Sequence, residues 1–277
     1  MPADFPRVTI CIPHWEVFDY IRACLRSIRK HSKKYNLEVI VVDNGSQDES
    51  IDYLRSLDWI RLIERPEERH TNWPNNVFTA WDRGYKEATG EYFITMHSDV
   101  FVKTDCWLDP LFREMNRSDN IGASGAWKLD LEHPLYKWQK QIIGFATAQI
   151  KSLLGRKRNV QWKQGHYPRD YCAMYRRDIL MENQLTFLNA HGAGGSLRIA
   201  QQIWDCGYQM GMVPAIEMAE NVFHVAHGTA AVRTEKKLNH NRAQKKVERK
   251  VTNLFEEPWI QELLAETSLD APQSNVA

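Results

Sequence analysis

Residues 92–102, YFITMHSDVFV, set an apolar run against a short polar break, His97-Ser98-Asp99, before the chain turns apolar again. An aspartate delivered by the carboxyl end of a buried strand is placed to hold a divalent cation. Hard carboxylate oxygens suit Mg2+ and Mn2+, and Mn2+ also accepts imidazole nitrogen. A second run, VIVVDNGS at residues 39–46, likewise ends in an aspartate, Asp43, and then breaks into the turn-formers Asn44 and Gly45. Two strands ending in carboxylates predict one ligand crevice, because open α/β sheets bind ligands outside the carboxyl ends of their strands.

The elements that would position these residues alternate. Residues 8–12 read as a buried strand closed by Pro13. The helix predicted over residues 16–31 spaces Tyr20, Ile21, Cys24, Leu25 and Ile28 at helical intervals. Strands at 37–42, 59–63 and 92–96 follow, with helices at 47–57 and at 75–88, the latter stopped by Gly90. This order predicts a mostly parallel sheet covered by helices. Further on, the pattern predicts helices at 105–115, 138–158 and 196–206 and strands at 121–126, 170–177 and 208–213. A basic helix near 234–251 and a frayed tail at 267–277 complete the reading.

The 277 residues are 43% hydrophobic and carry a formal net charge of +1. That bounds a substantial core and argues against nucleic acid as a partner, since such binding needs a basic surface to displace counterions. Five scattered cysteines, with no C-x-x-C pair, predict reduced thiols rather than a disulfide framework or a zinc knuckle. The first residues lack a charged segment followed by a long apolar one, and no apolar stretch of about 18 residues occurs. A cytoplasmic protein is expected.

Taken together, VTICIPHWE, VIVVDNGSQDES, ATGEYFITMHSD and CGYQMGMVPAIEM, followed by His224 and His227, resemble a family 2 glycosyltransferase of the GT-A fold. The resemblance runs from about residue 8 to residue 227. It implies a Rossmann-like α/β domain over residues 1–230, with a nucleotide-sugar-binding half at about 1–125 and an acceptor-binding half at 126–230. A basic helical extension and tail, 231–277, would follow.

By the same resemblance, Pro13, His14, Trp15 and Glu16 would line the base pocket, with Trp15 stacking on the base or, alternatively, packing as core. Asp43 would accept a hydrogen bond from a uracil or thymine ring, or cap the turn made with Asn44, or do both. His97-Ser98-Asp99 stands where the family carries D-x-D, so Asp99 would bind Mn2+ or Mg2+, while His97 and Ser98 would touch ribose or phosphate. His224 or His227 would reach the metal or the diphosphate, and Arg65, Arg69 and Arg83 lie where the family approaches its donor. The implied activity is transfer of a sugar from a UDP- or dTDP-linked donor to a glycan or lipid-linked hydroxyl, with inversion.

One departure concerns the base. Related enzymes begin the helix before the Gly-Tyr turn with an acidic pair, and here that place holds Gly194, Gly195 and Ser196. His191 is the nearest residue able to take a proton, with Asp170 and Glu217 as alternatives. Trp127, Tyr136 and Trp138 fall where a sugar would stack, although such a cluster also suits a core. Basic residues at 151–158 and 233–250 read either as solvated faces or as a peripheral contact with the anionic inner face of a membrane.

Overall fold

The computed structural model describes residues 5–68, 72–127, 167–190, 194–225 and 254–272. Tyr136, Trp138, His191, His227, Arg69 and both basic segments, 151–158 and 233–250, lie outside the described residues.

The first half alternates as its periodicity dictates: β1 (Val8–His14), α1 (Phe18–His31), β2 (Leu37–Asp43), α2 (Ser50–Arg55), β3 (Arg61–Glu64), α3 (Asn75–Glu87) and β4 (Tyr92–Met96). β1 pairs in parallel with both β2 and β4, and β2 with β3. Then come β5 (Val100–Val102), α4 (Asp109–Met115), β6 (Ile121–Gly125), β7 (Cys172–Arg176), α5 (Arg177–Glu182), α6 (Gly195–Asp205), β8 (Gln209–Met212), α7 (Ala215–Asn221) and β9 (Val222–His224). A seven-stranded sheet runs in the order β3-β2-β1-β4-β7-β6-β8, with β7 antiparallel to both neighbours, and β5 pairs antiparallel with β9 in a small second sheet. The α/β class and the mostly parallel, helix-covered sheet expected from the sequence are what the chain forms.

The strands read as continuous apolar runs because both faces of the sheet are covered. Ile10, Ile12, Val39 and Val41 face the core beneath α1 and α4, while Cys11, Ile40 and Val42 face the core built with α3, α5 and α6. α3 lies so close to β1 that a Cβ added at Gly84 would sit 2.3 Å from Cys11 Sγ. That approach buries Trp81 and Tyr85 of the same helix against the sheet.

Two expectations are corrected. β1 does not stop at Pro13; it continues to His14, in register with Asp43 of β2. Its pairing with β4 has already ended at Cys11, so the missing Pro13 N–H breaks no bond to that neighbour. The tail is not frayed over residues 267–272. Helix α8 (Pro258–Ala265) and a 3-10 turn (Thr267–Asp270) dock on α1. Arg26, buried in the middle of α1, donates from Nε to Asp270 Oδ1 at 3.0 Å, pairs with the other carboxylate oxygen, and donates to the carbonyls of Leu263 and Leu264. Tyr53 also donates to Asp270, at 2.8 Å, and Trp259 packs edge-on against Phe101 of β5 and Phe223 of β9. Among the described residues, no helix is long and apolar enough to cross a membrane.

Candidate active site

The carboxyl ends of β1, β2 and β4 open on the same edge of the sheet. At β2, Asp43 is 2% exposed, and its Oδ2 accepts from the backbone N–H groups of Gly45 and Ser46 at 3.1 and 3.0 Å. Its Oδ1 accepts from the Ser46 hydroxyl. Asp43 therefore caps its own turn, made possible by Gly45 at φ +80°. Burial lifts the carboxyl above its ordinary value, while the three donors oppose that shift. A carboxylate offers about four lone-pair sites, so one acceptor direction remains for a ring N–H.

Asn44 is buried beside it, accepting from Arg65 Nη1 at 2.8 Å; Arg65 also donates to the Asn76 carbonyl and pairs with Glu68. Arg65 is thus committed to holding this loop, and Arg83 bonds Glu87 at 2.9 Å.

Beside the Asp43 turn, the loop after β1 consists of Trp15, Glu16 and Val17, all half-buried. Glu16 and Val17 take left-handed backbone angles of φ 54° and 64°, costly for residues with a Cβ, and Glu16 N–H is held by Ser46 Oγ at 2.7 Å. Trp15 and Glu16 thus stand in a loop tied to the turn that follows β2. Pro13 and His14, which the resemblance sets beside them, are the last residues of β1 and are buried. The His14 imidazole bonds Ser50 Oγ at 2.8 Å, and burial lowers its pKa to about 4.

The second group forms where β4 ends. His97 N–H donates to the Tyr171 carbonyl at 3.2 Å, and Val225 N–H donates to the Asp99 carbonyl at 3.1 Å. Those two bonds, with the β5–β9 register that sets Val100 opposite His224, bring three side chains together that are distant in sequence. His224 Nε2 lies 3.4 Å from Asp99 Oδ1, and His97 Nδ1 lies 3.9 Å from the same oxygen. One ligating atom from each of His97, Asp99 and His224 lies within 4.8 Å of the others.

Each ring is wedged in place. Trp81 stacks on His97 at 5.5 Å between centroids, and Tyr171 stacks on His224 at 4.9 Å. Burial pushes His97 below its ordinary pKa, towards the neutral form that ligates metals. Its Nε2 is buried with no hydrogen-bond partner among the described residues. Two imidazoles and a carboxylate fit a divalent cation, and this mixed donor set suits Mn2+ better than the all-oxygen Mg2+. Ser98 sits half-buried in the same turn.

Asp170 closes the group from the turn ahead of β7, with Oδ1 4.0 Å from His97 Nε2 and Oδ2 accepting from Ser196 N–H at 3.3 Å. Glu217 is held elsewhere: its carboxylate takes two bonds from Arg113, at 2.5 and 2.8 Å, which keep it below the usual carboxyl range. A group so held is a poor base at neutral pH. Trp127 packs edge-on against Tyr167 at 4.7 Å, Tyr167 meets Trp204 at 6.2 Å, and the Arg169 guanidinium lies 5.4 Å over Trp127. Trp81, Tyr171 and Arg169 escaped the sequence reading; the first two look like core residues, and their packing partners only appear in three dimensions.

Residues 9–183 match the family described as Glycosyl transferase family 2. Among curated proteins, the chain is 28% identical over 123 residues to the O-antigen biosynthesis protein RfbC of Myxococcus xanthus, covering 43% of this chain and 9% of that one. It is 27% identical over 111 residues to the putative glycosyltransferase EpsH of Bacillus subtilis (strain 168), covering 40% of this chain and 29% of that one. The chain thus aligns with under a third of the length of either relative. Its fold is similar to that of the mannosyltransferase PcManGT from Pyrobaculum calidifontis, solved in complex with GDP-Man and Mn2+. There the TM-score is 0.53 at 17% identity, over 98% of this chain and 77% of that one. Glucosyl-3-phosphoglycerate synthase from Mycobacterium tuberculosis, solved with Mn2+, UDP-glucose and phosphoglyceric acid, gives 0.50 at 14% identity, over 91% and 79%. The match over residues 9–183 makes this chain a member of glycosyltransferase family 2.

Proposed function

We propose that the protein transfers a sugar, with inversion, from a UDP- or dTDP-linked donor to a hydroxyl of a glycan or lipid-linked acceptor in the synthesis of a cell-surface polysaccharide. The observation that carries this reading is the His97–Asp99–His224 group, set after β4 on the same edge of the sheet as Asp43. Bound there, Mn2+ would offset the negative charge that develops on the departing diphosphate. The chain's own part is to orient and to exclude water. Asp43 would take one ring N–H of the base, Trp15 would cover its face, and half-buried Trp127 would offer a flat surface to a sugar ring.

Two solved proteins of the same fold hold Mn2+ with a nucleotide sugar, which supports the metal assignment. The kinship to an O-antigen biosynthesis protein supports the acceptor class. On this reading the protein works in the cytoplasm at the inner face of the membrane, its basic segments at residues 151–158 and 233–250 against anionic lipid.

A second reading has one observation in its favour: the first turn of α6 is Gly195-Ser196 instead of an acidic pair. A binding module that has lost catalysis would bind donor without consuming it. Calorimetric titration with UDP and dTDP, with and without Mn2+, tests the donor site. Binding should require Mn2+ and fall at least about tenfold in Asp99→Ala. Equal binding by the two proteins removes the metal assignment, and binding without nucleoside diphosphate release from any sugar donor selects the module.

A further inference from the structure

The helix start that should bring a carboxylate to the acceptor is bare, yet a carboxylate stands in its place. A Cβ built on Gly195 would lie 2.7 Å from Asp170 Oδ2. The adjacent Ser196 N–H donates to that same oxygen at 3.3 Å. Asp170 therefore reaches from the turn ahead of β7 into the space that a side chain at position 195 would fill.

We propose that Asp170 is the catalytic residue that takes the proton from the acceptor hydroxyl, so that the base has moved from α6 to the facing turn. The assignment rests on the transfer reaction proposed above. It also explains the glycine: Gly195 sits at φ +56°, with its missing Cβ against both Asp170 and the Phe78 ring, so any side chain there would displace the carboxylate.

Three features place the group for this work. Its Oδ1 lies 4.0 Å from His97 Nε2, at the edge of the group that would receive the diphosphate. Its side chain is partly exposed, unlike that of Asp99, so a hydroxyl can reach it. Arg169, the residue before it, lies over the ring of half-buried Trp127, which ties that aromatic side chain to the turn carrying the base.

In the step itself, the acceptor O–H bond breaks and its proton passes to the Asp170 carboxylate. The freed electron pair forms the new bond to the anomeric carbon, and the bond from that carbon to the donor phosphate oxygen breaks. The nucleoside diphosphate leaves with that electron pair, and Asp170 returns its proton to solvent. Attack opposite the leaving group inverts the anomeric centre.

Water can replace an unknown acceptor, and azide can replace water without needing a base. The full-length protein and Asp170→Asn would be given UDP-glucose, UDP-galactose, UDP-N-acetylglucosamine and dTDP-glucose with Mn2+, and nucleoside diphosphate release measured in buffer and in azide. The affinities for Mn2+ and UDP would be measured on the same samples.

The proposal expects release in buffer to fall by about a hundredfold or more in Asp170→Asn. It also expects UDP and Mn2+ affinities to stay within about threefold of wild type, a change worth under half of one tenfold step in free energy. Azide should restore much of the lost release. Release near the wild-type rate overturns it, and so does a loss matched by weaker Mn2+ binding, which would make Asp170 a ligand or a positioning residue for His97. Wild-type protein that binds UDP with Mn2+ yet releases nothing counts against the transfer reaction, and against this assignment with it. A wild-type protein that fails to bind either nucleotide fails earlier, at the donor site.

Discussion

At the scale of single residues, charge and burial divide the histidines into two kinds. His14 is sealed in β1 with Ser50 as partner, and its pKa falls to about 4 because burial disfavours the cation. The folded value lies below the unfolded one, so between the two the unfolded chain binds more protons. The stability given by neutral His14 is complete above about pH 6.5 and drains away as the pH falls towards 4. Urea unfolding of wild type and His14→Gln at pH 7 and pH 5 should show it, the wild type losing about 2 kcal/mol more over that interval. Equal losses would mean that the imidazole is not held neutral. His97 and His224, stacked on Trp81 and Tyr171, lie beside the Asp99 carboxylate instead of a hydroxyl, an environment that suits metal ligation.

Asp43 and Asp99 are visible in the sequence because each follows an apolar run, whereas His224 enters only through the family resemblance. It placed His97 on ribose or phosphate, whereas the folded chain sets its ring beside Asp99. That difference follows from ring packing against Trp81, which strand patterning does not encode.

At the scale of elements, two contacts fix the crevice. α3 carries Trp81 to His97 only because Gly84 lets the helix touch β1 at Cys11. Gly84→Ala should gain about 1 kcal/mol of helix propensity and lose more to overpacking, for a net destabilisation of about 1–2 kcal/mol. Thermal or urea unfolding reads it, and a stabilised variant would show that α3 can slide without cost.

The second contact is the docking of α8 on α1. Its Trp259 backs β5 and β9, whose register holds Asp99 and His224 together, and the Arg26–Asp270 pair locks the docked segment. Arg26 is 3% exposed, so stripping its partner leaves a buried charge. Asp270→Asn should cost about 2–4 kcal/mol, less than a wholly orphaned ion because the carbonyls of Leu263 and Leu264 remain. Mn2+ affinity should fall with it, measured on protein that circular dichroism shows to be folded; unchanged affinity would separate the clamp from the site. β5, β9 and α5 went unread in the sequence because runs of three and six residues hold too little periodicity.

At the scale of the molecule, the parallel half of the sheet was legible because β1, β2, α1 and α3, of 7, 7, 14 and 13 residues, are long enough to show their periods. Asp170 acquires its place from a relation that no local pattern contains. β7 runs antiparallel between β4 and β6, which returns the turn before it to the same edge as His97. The order of motifs identified the family; the pairing of distant turns decides which residues can act together.

The central claim is that His97, Asp99 and His224 hold one divalent cation together. Electron spin-echo modulation of Mn2+ bound with UDP tests it most directly, because a nitrogen ligand imprints its nuclear frequency on the manganese signal. The account predicts imidazole modulation from two nitrogens, halved in His97→Ala and in His224→Ala, with Mn2+ binding weakened in Asp99→Ala. A tightly bound Mn2+–UDP complex with no nitrogen modulation would contradict it.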